Sequence, residues 1–65
     1  MSIELYDLVR TRRAIPEHGL PKGAVGTVLL VFDDPRTAYE VEFLDDGGAT
    51  IAVSTLEPSD IERVP

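Results

Sequence analysis

The stretch "YEVEF" (residues 39–43) decides how the rest of the chain is read. Tyr39, Val41 and Phe43 alternate with Glu40 and Glu42, a period of two that gives a strand one apolar and one wet face. Helical spacing would set Glu40 beside Phe43 and leave no clean apolar stripe. The segment therefore reads as a β-strand with Tyr39, Val41 and Phe43 inward.

Working outward, the same texture recurs. "LYDLVRTRRAI" (5–15), "AVGTVLLVF" (24–32), "ATIAVSTL" (49–56) and a final "IERV" (61–64) are apolar runs rich in β-formers. They are separated by "PEHGLPKG", "DDPRTA", "DDGG" and "EPSD", all turn-forming compositions. In the first run the alternation turns Val9 and Thr11 inward and Leu8, Arg10 and Arg12 outward. "DDGG" reads as a hairpin with Gly47 in the turn, because glycine accepts the positive φ that tight turns demand. Pro35 sits in the longer "DDPRTA" hairpin loop. "EPSDIE" reads as one 3₁₀ or short helical turn, with Ser59 as cap and Glu62 returning the hydrogen bond. The expected fold is all-β: a small five-stranded SH3-like barrel over residues 1–65, with that one turn before the last strand. Val9, Val28, Val41, Phe43 and Val53 are the expected core, with Val31 beside Val28.

"KGAVGTV" (22–28) invites a phosphate-loop reading, but it contains neither GxGxxG nor GxxxxGK[ST], and a strand rather than a helix follows. A structural cause fits better. Gly23 takes a positive φ at the end of the loop, and Gly26 leaves room where a neighbouring strand crosses closely.

Composition narrows the functions. Sixty-five residues make one domain near the lower size limit for unaided folding. A chain of this size buries only about 60% of the surface its unfolded form exposes. There is no cysteine, so no thiolate metal site, disulfide framework or thiol nucleophile is available, and the single histidine, His18, excludes sites that need two imidazoles. Twelve acidic against six basic residues disfavour nucleic acid as a partner and suit a basic protein surface. No apolar run approaches the length of a membrane span, and "MSIELYDLV" has no basic segment ahead of an apolar one. A cytoplasmic location is expected.

"IELYDLV", "PEHGL", "KGAVGTVLLVFDD", "YEVEF" and "TIAVSTL" together resemble a family of small bacterial proteins, a domain-of-unknown-function family of about this length. The resemblance spans nearly the whole chain. More distantly, the glycine-spaced strand entry resembles SH3-like and KOW-type barrels. The family resemblance implies a small accessory protein, in some cases one half of a two-gene pair arranged like a toxin and its antitoxin. The KOW likeness implies RNA binding.

The candidate chemistry is thin. His18 has Glu17 beside it, but adjacent loop residues point apart and a core this small has no room for a substrate cavity. A backbone-carbonyl contact or a partner contact is the expected role of His18. The acid pairs Asp33-Asp34 and Asp45-Asp46 lack the alternating spacing of a calcium loop. Arg10, Arg12, Arg13 and Lys22 form the one basic cluster, which would pair across strands with Glu40 and Glu42 or meet an acidic partner. No cofactor, metal or small-molecule substrate is expected. The leading expectation is a non-catalytic protein-interaction module whose contacts are Leu8, Arg10, Arg12, His18, Leu20 and Leu30, with Gly23, Gly26 and Gly47 structural. The partner is another protein chain or a second copy. A KOW-like nucleic-acid binder comes second and a small enzyme a distant third.

Overall fold

Five antiparallel strands form one sheet in the computed structural model, which describes residues 3–65. They are β1 (Leu8–Thr11), β2 (Val25–Phe32), β3 (Ala38–Leu44), β4 (Thr50–Leu56) and β5 (Ile61–Arg63). Their order across the sheet is β4-β3-β2-β1-β5, so the chain meanders from β1 to β4 and returns to pair β5 with β1. Only isolated 3₁₀ turns interrupt the strands, and the all-β expectation holds. No helix among the described residues is long and apolar enough to cross a membrane.

A lone sheet has to supply its own cover. Val9, Val28, Val41 and Phe43 are at most 1% exposed, although no second layer packs on them. The sheet must therefore curl so that its inner face closes on itself. Ile15, Leu20, Tyr39, Ala52, Leu56 and Ile61 complete the core. Gly26 makes the curl possible where β2 lies against β3. A Cβ there would come within 2.7 Å of both the Glu42 carbonyl oxygen and a Val41 methyl, and 3.0 Å from the Phe43 ring. The register then slips between Val28 and Leu30, a bulge that bends β2 further.

The loop from Arg12 to Ala24 closes one end. Ile15 and Leu20 exchange both backbone hydrogen bonds, N–H to O at 2.8 and 3.1 Å, and carry a 3₁₀ turn at Pro16–His18 between them. Thr11 anchors the loop's return. Its buried hydroxyl donates to the Pro21 carbonyl at 3.2 Å and accepts from the N–H groups of Gly23 and Ala24 at 3.0 and 3.2 Å. Gly23 holds φ +89°, which glycine adopts without strain.

Several expectations need correction. The first strand occupies only Leu8–Thr11 of the run 5–15. The described residues hold two 3₁₀ turns rather than one, Pro16–His18 being added to Pro58–Asp60. Val53 is 43% exposed, and β4 instead turns Ala52, Ser54 and Leu56 inward. Val31, near the end of β2, is 37% exposed and also lies outside the core. In "DDGG" the positive φ belongs to Gly48 at +86°, while the Gly47 N–H donates to the Asp45 carboxylate at 2.9 Å. The turn before β5 is capped by Glu57 and Asp60 in a reciprocal box rather than by Ser59 and Glu62. Asp60 accepts from the Glu57 N–H at 2.9 Å.

The two kinds of glycine make opposite predictions. Gly26→Ala drives a methyl into backbone and core atoms and should cost about 1–3 kcal/mol in chemical denaturation. At Gly47 the nearest atom to an added Cβ is 3.4 Å away, so Gly47→Ala should stay within about 0.5 kcal/mol of wild type. Equal effects would mean that β2 is not held by the close crossing.

Candidate functional site

Because the inner face is spent on the core, the outer face of the sheet carries whatever apolar surface remains. Register puts Leu8 of β1 opposite Thr27, Thr27 opposite Glu42, and Glu42 opposite Val53, one row across four strands. A second row joins Glu62, Arg10 and Val25. A third joins Leu30, Glu40 and Thr55. Six aliphatic side chains stand about half exposed on or beside these rows: Leu8 52%, Val25 52%, Leu30 50%, Leu44 47%, Ile51 54% and Val53 43%. Scattered surface leucines are ordinary, but six on one curved sheet face form a patch of the kind that marks contact sites.

The acids inside this patch are tied down. Glu42 accepts a hydrogen bond from the Thr50 hydroxyl at 2.7 Å, and Glu40 accepts from the Thr55 hydroxyl at 3.0 Å. The arginines expected to pair with them go elsewhere, because β5 rather than β3 lies beside β1. Arg10 pairs with Glu62, and Arg13 pairs with Asp60 at 2.9 Å. At the β1–β5 edge an open cleft of about 340 Å³ is lined by Arg10, Thr11, Arg12, Lys22, Gly23 and Glu62. Arg12 and Lys22 make no ion pair among the described residues. This cleft is a small electropositive rim on an acidic chain. The Arg10 hydrogen bond and charge, helped by Arg12 and Lys22, hold the Glu62 carboxyl below its ordinary value of 4.5.

Of the proposed contacts, Leu8, Arg10, Arg12 and Leu30 are exposed on this side of the sheet or its edge. His18 is exposed on the 3₁₀ turn of the loop, and its side chain makes no hydrogen bond among the described residues. Its backbone N–H donates to the Ile15 carbonyl at 3.1 Å, so the expected side-chain contact with a carbonyl is not formed. Leu20 is a correction: at 5% exposed it packs in the core and offers nothing to a partner. Gly23 and Gly26 have the structural roles expected. No three His, Asp or Glu side chains among the described residues gather as a metal site. Asp45 spends its carboxylate capping its own turn, accepting also from the Ala49 N–H at 3.0 Å.

Tyr6 was not singled out from the sequence. It holds φ +68°, a left-handed conformation that is uncommon outside glycine, and its side chain is among the most exposed apolar groups at 70%. Its N–H bonds to the Val28 carbonyl at 2.8 Å, which pins the strained residue against the bulged part of β2. Strain retained without burial points toward use of the side chain rather than stability. No pattern of neighbours in sequence announces a left-handed tyrosine.

Two predictions follow the site's chemistry. Tyr6→Asn, which tolerates the left-handed conformation, should leave stability unchanged or raise it by up to about 1 kcal/mol; a clear loss in denaturant midpoint would make Tyr6 structural. Burial opposes the charge on Asp60, yet the hydrogen bond from Glu57 and the Arg13 contact outweigh it, leaving its pKa below the ordinary 3.8. The native state thus binds its proton less readily than the unfolded chain. The stabilisation is complete above the ordinary value and fades as pH falls through the lowered one. Asp60→Asn should lower stability at pH 7 and flatten its decline from about pH 5 to pH 2, measured by urea midpoints; parallel wild-type and variant curves would exclude that role.

Compared with known proteins, the chain is matched by neither a curated protein nor a solved structure. One family profile matches residues 5–63, nearly its full length. The protein belongs to the family described as Domain of unknown function (DUF4926).

Proposed function

We propose that this protein is a small non-catalytic interaction module that holds another protein chain against the outer face of its sheet. The single observation that carries the reading is the half-exposed set Leu8, Val25, Leu30, Leu44, Ile51 and Val53 on one face. Protein interfaces favour an apolar centre with arginine nearby and few free charges in the middle. Here Arg10 and Arg12 stand at one border, and the central carboxylates are already hydrogen-bonded to threonines. Tyr6 adds an exposed aromatic. The cleft beside Arg12 and Lys22 offers a seat for a partner's carboxylate. An accessory or antitoxin-like place in a two-gene pair is the setting we propose.

Nucleic-acid binding draws on the same basic cleft, but Arg10 there already answers Glu62, neighbouring Arg13 answers Asp60, and the chain carries a net charge of −6. The protein reading therefore has the better support.

The test is affinity capture from a lysate of the source organism, with retained protein and RNA both analysed. Wild type should retain a specific protein that the double variant Leu8→Ser, Leu30→Ser loses at least about tenfold, at a fold stability changed by no more than about 1 kcal/mol. Retention of RNA alone, of nothing, or of the same protein by both forms would overturn the reading.

A further inference from the structure

We infer that β4 is the edge by which two copies of this chain pair, antiparallel and centred on Val53. The inference rests on the interaction reading above and narrows it to a partner. β4 ends the sheet, so every second residue from Thr50 to Leu56 directs its backbone N–H and C=O away from β3 toward no strand among the described residues. The opposite edge, β5, is only three residues long. A long edge is normally blunted by lysine, proline or an inward charge. β4 has none of these: from Gly47 to Leu56 the sequence carries no charge and no proline. Its irregularity, between Phe43 and Leu44, falls at the start of the strand.

Charge selects the occupant. With a net charge of −6, two copies repel over most of their surfaces. β4 is a strand along which they can approach without setting acid against acid. A strongly basic partner would find its complement at the acidic loops instead, not on an uncharged strand.

Side-chain pairing selects the register. In an antiparallel pair, opposed residues share a face. Centring on Val53 sets Val53 against Val53 of the second copy and Ile51 against Thr55, uncharged pairs throughout. A shift of two residues in one direction sets Ile51 against the Glu57 carboxylate. The same shift in the other direction sets Leu56 against Gly48 in the turn. Of these registers only the Val53 one pairs β4 with its copy along its whole length, Thr50 against Leu56, while covering Ile51 and Val53, which are otherwise half exposed. The pairing also makes one continuous outer face from two.

The footprint is small, so association should be weak, on the order of 0.1 mM. Sedimentation equilibrium over a concentration series should show a monomer–dimer equilibrium. Val53→Lys places its ammonium opposite Glu42 of its own sheet and so keeps the monomer folded, as circular dichroism would verify. It should weaken the dimer at least tenfold. Because the chain has no cysteine, a single Val53→Cys is a clean geometric probe. Directly opposed Cβ atoms lie about 4.5–5.5 Å apart, near disulfide range. It should cross-link under mild oxidant far faster than Arg36→Cys, which sits on an exposed loop. A strict monomer at about 1 mM, a dimer indifferent to Val53→Lys, or equal cross-linking rates would overturn self-pairing. If the monomer still captures a specific host protein, only this inference fails; if it captures none, the interaction reading fails with it.

Discussion

One five-stranded sheet must cover its own apolar face, and everything else in this molecule follows from how it does so. Curling is possible because β2 can press against β3 at Gly26, where any side chain would strike the Glu42 carbonyl and the Val41 side chain. The bulge at Val28–Leu30 adds a second bend. Together they bring Val9, Val28, Val41, Phe43 and Ile61 into contact from four strands, and the loop carrying Ile15 and Leu20 stoppers the end. Thr11 holds that stopper in place with three hydrogen bonds from one hydroxyl.

A curl this tight has a narrow inside. The chain is 43% apolar, more than the inner face accommodates. The surplus emerges on the convex side as the patch around Val25, Leu44, Ile51 and Val53. Electrostatics divide the same surface. Sheet order brings Glu62 and Asp60, rather than Glu40 and Glu42, to the arginines of the first strand and the segment after it. The acids of β3 are left to the threonines of β4. The result is a basic cleft at one border, a middle where aliphatic side chains alternate with threonine-bound carboxylates, and an uncharged strand at the far edge.

Much of this was legible residue by residue. The alternation in "YEVEF" assigned the inner face of β3 correctly, and the glycine spacing in "KGAVGTV" announced both the turn at Gly23 and the close crossing at Gly26. The phase of β4 was not legible. "TIAVSTL" has apolar residues at both parities, Ile51 and Val53 against Ala52 and Leu56, and the larger β-branched pair suggested the wrong face. The answer lies in pairing to β3, where Val53 meets Glu42 on the wet side and Ala52 meets Phe43 on the dry one. Leu20 was misjudged for a similar reason. Its loop looks open in sequence, and only the bridge to Ile15 folds it over the core. Arg10 had two acidic strands to choose from, and hydropathy does not order strands in a sheet.

The central claim is that the outer face is bare in the single chain and covered by another chain when it acts. Methyl-resolved nuclear magnetic resonance with a soluble paramagnetic agent tests it directly. In dilute protein, the methyls of Leu8, Val25, Leu30, Leu44, Ile51 and Val53 should lose intensity, while those of Val9, Val28, Val41 and Ile61 keep theirs. Ile51 and Val53 should regain protection as concentration rises, and the remaining face when a captured partner is added. Outer-face methyls that are shielded in dilute protein, or that stay equally exposed under every condition, would contradict the account.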